Sequence, residues 1–146
     1  MEYVPDQSEM VVAEYAYWTV YLNHYQSYLG RCYIALKREG NLDPFLDCTE
    51  EEWAELRSII SDKLVSALQR LFAPDMMNYD NLRNVWPHCH WHVVPRYSSE
   101  RTFAETTFTD ANWGANWSPY DKIMHPPEVL LAIKDALRKE LLVSES

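Results

Sequence analysis

The residues best suited to chemistry stand in one stretch, His88-Cys89-His90-Trp91-His92-Val93-Val94-Pro95-Arg96. Three of the chain's five histidines alternate here with other residues, and a proline closes the run. Side chains of an extended strand alternate between faces, so His88, His90 and His92 share one side at roughly 7 Å intervals. Cys89, Trp91 and Val93 then point the other way, into a core. A helix would scatter the same rings around its axis. Imidazoles titrate near pH ~6.5, and three on one face can supply a nucleophile, a proton donor and an orienting partner. They can also bind a metal, since imidazole is a common zinc ligand. A zinc site needs a third or fourth ligand from elsewhere, and the chain offers no CxxC or HExxH partner. The sequence favours catalysis, with no resident metal.

The elements that must position this row lie on either side of it. Glu14 to Leu22 (EYAYWTVYL) is dense in aromatic and β-branched residues, which predicts a strand. Asn23 to Ser27 breaks it, Gly30 turns the chain, and Arg31 to Leu36 gives an antiparallel neighbour. Thr49 and Glu52 form a capping box for a helix to about Phe72. Its apolar residues Trp53, Leu56, Ile60, Leu64, Ala67, Leu68 and Leu71 cover one face, and Ala73-Pro74 stops it. Asp75 to Leu82 is a third strand, forming a hairpin with the histidine strand across Arg83 to Pro87. Beyond Tyr97, one strand is expected at Thr102 to Phe108. An ordered loop is expected at Trp113 to Trp117, because two tryptophans in five residues are rarely left in water. Pro126-Pro127-Glu128 opens a last helix through Leu142, with Val129, Leu130, Ile133, Leu137 and Leu141 as its buried stripe. The tail Ser144 to Ser146 is expected to fray. The order predicts an α+β fold: an antiparallel sheet of about five strands, the long helix packed on it, and a C-terminal helix.

With 146 residues, 47% hydrophobic and 14% aromatic, residues 1–146 read as one domain with a real core. Thirteen basic against 22 acidic residues give −9, which argues against a nucleic-acid partner. Cys32, Cys48 and Cys89 are odd in number and lack metal spacing, which suggests a reducing, cytoplasmic interior. The opening residues Met1 to Asp6 lack the apolar core of a signal peptide, and Glu14 cuts the run from Met10 to Ala13, so no membrane contact is expected.

His-x-His-x-His followed by two apolar residues, HCHWHVVPRY in this chain, resembles the signature of the histidine triad superfamily of nucleotide hydrolases and transferases. The order of elements over about Glu14 to Tyr97 is similar too, and Asn112-Trp113-Gly114 looks like one branch of the superfamily. The resemblance implies a histidine triad fold in which His90, the middle histidine, attacks an α-phosphorus to form a nucleotidyl-imidazole. Water would then release a nucleoside monophosphate from substrates such as dinucleoside polyphosphates or nucleoside phosphoramidates. His92 would contact phosphate or the leaving group, and His88 would support the array by hydrogen bonding. Asn23 stands where the family holds the ribose hydroxyls, although it also reads as an ordinary turn residue.

Three positions depart from the family pattern. Arg31 and Glu39 stand where many members have histidine, and Asn84-Val85-Trp86-Pro87 replaces Gly-Gln and a hydroxyl residue before the triad. Asn84 would offer phosphate an amide, and Arg31 joins the expected substrate-binding set. Arg96 would reach a distal phosphate or stand as a solvated strand-end charge. Tyr15, Tyr17 and Trp18 would stack on a base or fill the core, and His24 and His125 read as surface or capping groups. The resemblance also implies a homodimer, since an exposed sheet edge needs cover. No cofactor is required by a histidine nucleophile, and Mg²⁺ would accompany only the substrate's phosphates. The competing readings are a nucleotide-binding module with little turnover and a zinc protein using His88, His90 and His92.

Overall fold

The computed structural model describes residues 3–145. Five strands form one antiparallel sheet in the order β1-β2-β3-β5-β4: β1 (Val11–Glu14), β2 (Trp18–Leu22), β3 (Cys32–Leu36), β4 (Met76–Asp80) and β5 (His90–Arg96). One face of this sheet is apolar. Trp18, Val20 and Leu22, then Cys32, Ile34 and Leu36, then Cys89 and Val93 enter the core at alternate positions. The long helix (50–72) and the C-terminal helix (Pro127–Glu145) pack on that face. The opposite face of β5 is thereby left to the imidazoles.

Of the strand expected over 14–22 only 18–22 forms β2, and Glu14 ends a separate strand, β1, that starts at Val11. The chain reverses at 15–17, where Tyr15 N–H donates to the Trp18 carbonyl at 2.8 Å. Glu55 of the long helix accepts from the Tyr17 and Trp18 amides at 2.7 and 3.2 Å, and this fixes the turn. Trp18 is fully buried with its indole N–H on the Glu52 carbonyl, and Lys63 lies over the Tyr15 ring. These aromatics serve the turn and the core.

The capping box is present: Thr49 Oγ1 accepts from Glu52 N–H at 3.1 Å and Glu52 Oε1 accepts from Thr49 N–H at 2.8 Å. The helix contains a π turn at Ile59–Leu64. Its core-facing residues run Leu56, Ile59, Leu64, Ala67, Leu68 and Phe72, with a five-residue step where the π turn sits. A uniform 3.6 period instead places Ile60 and Leu71 in the core, and both are only partly buried. Ala73 ends the helix in a left-handed conformation (φ 48°), and Pro74 follows.

β4 is an edge strand paired with β5, joined to it by residues 81–89. The strand expected at 102–108 is a hairpin, β6 (Arg101–Phe103) with β7 (Thr106–Phe108). Ala104 and Glu105 both have positive φ (50° and 58°), which reverses the chain without glycine or asparagine. Of the two loop tryptophans, Trp117 is buried and Trp113 stays 42% exposed. The C-terminal helix buries Val129, Leu130, Ile133, Leu137 and Leu141 as expected and extends to Glu145, while Ser146 lies outside the described residues. No helix among the described residues is long and apolar enough to cross a membrane.

Candidate active site

Strand alternation along β5 puts His90, His92, Val94 and Arg96 on the open face. On the neighbouring strands, Ala35 stands opposite His90, and Tyr33 and Asp80 flank His92. A cavity of about 380 Å³ opens beside His90 and His92, lined also by Gln7, Asn23, Tyr33 and Trp86. That volume falls in the range of small-ligand pockets, roughly 300–1,000 Å³.

The three histidines have different partners. His88 precedes the strand, donates from Nε2 to the Leu36 carbonyl, and has Nδ1 3.8 Å from the Glu39 carboxylate. Its own carbonyl accepts from His90 Nδ1 at 2.6 Å. A carbonyl only accepts, so the His90 proton is on Nδ1 and the Nε2 lone pair is free to act as a nucleophile. Burial, and next the nearby His88, lower the pKa of His90 and favour its neutral form, against the hydrogen bond to His88. His92 is pushed down to about 4, first by burial, then by the Arg31 charge and by His90. At neutral pH His92 is therefore an uncharged hydrogen-bonding group. The His90 and His92 rings meet edge to face, with centroids 5.0 Å apart.

Asn23 lines the cavity and also closes its turn, since its Oδ1 accepts from Tyr25 N–H at 2.8 Å. The other three expected contacts are placed differently. Asn84 is exposed on the 81–89 loop and is not among the cavity's lining residues. Arg83, with φ 55°, turns that loop and pairs with Asn41 and Asp43, so that Trp86 faces the site instead. Trp86 stacks on His88 at 5.1 Å and tilts over His90 at 4.5 Å.

Arg31 is buried between the rings of Trp117 and Tyr120, at 4.8 and 4.7 Å, and its Nη1 donates to the Tyr120 hydroxyl. Trp117 also packs on His92 at 5.1 Å, so Arg31 acts on the site by its field from behind that indole. Arg31 Nε and His92 Nδ1 are both buried without a hydrogen-bond partner. Arg96 is neither solvated nor free for phosphate. Its guanidinium donates to both Asp110 oxygens (2.7 and 3.2 Å), to Asn78 Oδ1 (2.8 Å) and to the carbonyls of Asn112 (2.7 Å) and Ala115 (3.0 Å). All five N–H groups are used, and the ion pair pins the loop that carries Trp117.

Sequence reasoning missed Gln7, Tyr33 and Trp86 as cavity walls. Tyr33 could have been found by alternation, since it sits two residues from Arg31 on the strand next to the histidines. No periodic signal marks Gln7 or Trp86.

Residues 11–99 match the HIT domain family, and the chain belongs to that family, whose members are generally nucleotide-binding hydrolases or transferases. No curated protein matches the sequence. Among solved structures, a histidine triad protein from Bradyrhizobium japonicum is 18% identical, with a TM-score of 0.69 over 90% of this chain and 89% of that one. A hypothetical histidine triad nucleotide-binding protein from Sulfolobus tokodaii is also 18% identical, with a TM-score of 0.70 over 92% and 84%. A zinc-bound histidine triad family protein from Mycobacterium smegmatis is 16% identical, with a TM-score of 0.57 over 94% and 88%. At these identities the likeness is one of fold.

Proposed function

We propose that this protein is a nucleotide hydrolase or nucleotidyltransferase that works through a covalent nucleotidyl-His90 intermediate. The observation that carries the reading is the His90 Nδ1–H bond to the His88 carbonyl, which leaves Nε2 unprotonated at a cavity wall. Nε2 attacks the α-phosphorus, the bond from phosphorus to the leaving group breaks, and the electron pair leaves with that group. His92 hydrogen-bonds a phosphoryl oxygen or the leaving group, and Asn23 holds the ribose. Water then attacks the same phosphorus, the P–N bond breaks back to imidazole, and a nucleoside monophosphate departs with a proton released to solvent. Dinucleoside polyphosphates and nucleoside phosphoramidates both present the required α-phosphorus. The chemistry calls for no resident cofactor, and any Mg²⁺ belongs with the substrate's phosphates. The test is turnover of both substrate types by the wild type and by His90→Ala. The variant loses turnover and keeps nucleotide binding; a variant that still turns over removes the reading.

Zinc held by His88, His90 and His92 is the second reading, raised by the zinc in the Mycobacterium smegmatis relative. Against it, His88 precedes β5 and is not among the residues lining the cavity that His90 and His92 share. No group of three ligand side chains among the described residues is arranged to hold a metal.

We further propose a homodimer in a reducing, cytoplasmic setting. β4 leaves one edge unpaired in the sheet, and beside it lies a largely apolar hollow lined by Trp53, Leu56, Ile60, Tyr79 and Trp91 together with Arg57 and Ser61. The three cysteines are free thiols, in keeping with a reducing compartment.

A further inference from the structure

One wall of the cavity comes from outside the family-matched span. Gln7 belongs to a short 3-10 turn, Gln7–Met10, that precedes residue 11, where the match begins. The turn is held at both ends, by buried Pro5 and by Met10, which is fully enclosed in the core. Asp6 caps it by accepting from Glu9 N–H at 3.1 Å. His24 Nε2–H donates to the Pro5 carbonyl at 2.5 Å and so ties the turn to the segment after β2. Gln7 Nε2 donates to the Tyr33 hydroxyl at 2.9 Å, and Tyr33 in turn stacks on Tyr21 at 4.9 Å.

This anchoring has a chemical consequence. With one Nε2–H committed to Tyr33, the Gln7 carboxamide keeps one N–H donor and its carbonyl acceptor. The remaining lining residues divide the cavity by chemistry. The imidazoles suit a phosphoryl group, Asn23 offers amide donors, and Trp86 and Tyr33, in edge-to-face contact at 6.1 Å, add aromatic surface. No Lys or Arg is among these lining residues. A carboxamide donor and acceptor beside aromatic rings match the hydrogen-bonding edge of a nucleobase, as glutamine matches adenine elsewhere.

We propose that Gln7 is a substrate-contacting residue whose carboxamide meets the nucleobase edge of the bound nucleotide. The inference rests on the nucleotide reading above and adds to it a base-recognition residue that the family signature does not contain. Its test uses adenosine 5′-monophosphate and ribose 5-phosphate as probes, since the two share phosphate and ribose and differ by the base. In calorimetric titration Gln7→Leu weakens adenosine monophosphate about tenfold and leaves ribose 5-phosphate within about twofold. His24→Ala, which loosens the turn without touching the ligand, moves the same ratio in the same direction. Equal losses for both probes, or no loss for adenosine monophosphate, overturn the assignment while the nucleotide reading stands. A wild type that binds neither probe overturns both.

Discussion

His90 Nδ1 and the His88 carbonyl oxygen lie 2.6 Å apart, so the first histidine of the row sets the tautomer of the second through its backbone. The His88 ring is itself tied to the Leu36 carbonyl on β3. The nucleophile is thus oriented by its own strand and the next. Replacing His88 by alanine keeps the His90–carbonyl bond but removes the tie to β3. The expected result is a fall in kcat of about 10- to 100-fold with KM little changed, read by steady-state kinetics.

Acid should act on both activity and stability. His90 and His92 have folded-state pKa values below the ordinary histidine value, His92 at about 4. Between the unfolded and folded values the unfolded chain binds more protons. Their contribution to stability is therefore complete above about pH 6.5 and is lost as pH falls toward 4. The acidic limb of kcat/KM should likewise lie below 6.5. Denaturant unfolding and rate profiles across pH 4 to 8 check both; a limb above 7 would contradict the assignment of His90 as a neutral nucleophile.

Arg31→Met removes the charge behind Trp117 while keeping an unbranched side chain between the two rings. The His92 pKa should then rise, because a cation near an imidazole disfavours its protonated form. Proton NMR titration reads the change directly, and an unchanged or lower value would show that the Arg31 field does not reach His92.

The Arg96–Asp110 ion pair predicts a large structural effect. Both side chains are buried, and Asp110 also accepts from the Tyr97 and Asn112 amides at 3.1 and 3.0 Å. Asp110→Ala leaves a buried guanidinium without its counter-ion and should destabilise the fold by about 3–5 kcal/mol in urea titration. A loss below about 1 kcal/mol would mean that the pair is not what holds the Trp117 loop.

The proposed dimer predicts that Tyr79→Lys, which places a charge beside the β4 edge, lowers association at least about tenfold in sedimentation. A wild type that sediments as a monomer at micromolar concentration would remove the dimer.

What could be read from the chain followed its periodicity. The alternation of His90 and His92 along β5, the capping box and the C-terminal stripe each repeat at a fixed period or carry a local signature, and each is present. His88, expected on the same strand face, instead precedes β5 and turns to the Leu36 carbonyl. Features that break a period escaped. The π turn inserts a five-residue step from Ile59 to Leu64, and the β6–β7 turn uses Ala104 and Glu105, neither a typical turn residue. Long-range pairings escaped as well. Nothing local to Arg96 announces Asp110 fourteen residues away, and Gln7 reaches Tyr33 only because the sheet brings the N-terminal turn beside β3. The imidazole row was legible; the walls around it come from segments distant in sequence.

The most direct test is to quench the reaction during turnover and map the modified peptide by mass spectrometry. A nucleotidyl group attached to His90, absent in His90→Ala, is the expected result. Turnover with no adduct in the wild type, or with the nucleotide carried by His88 or His92, would contradict the mechanism.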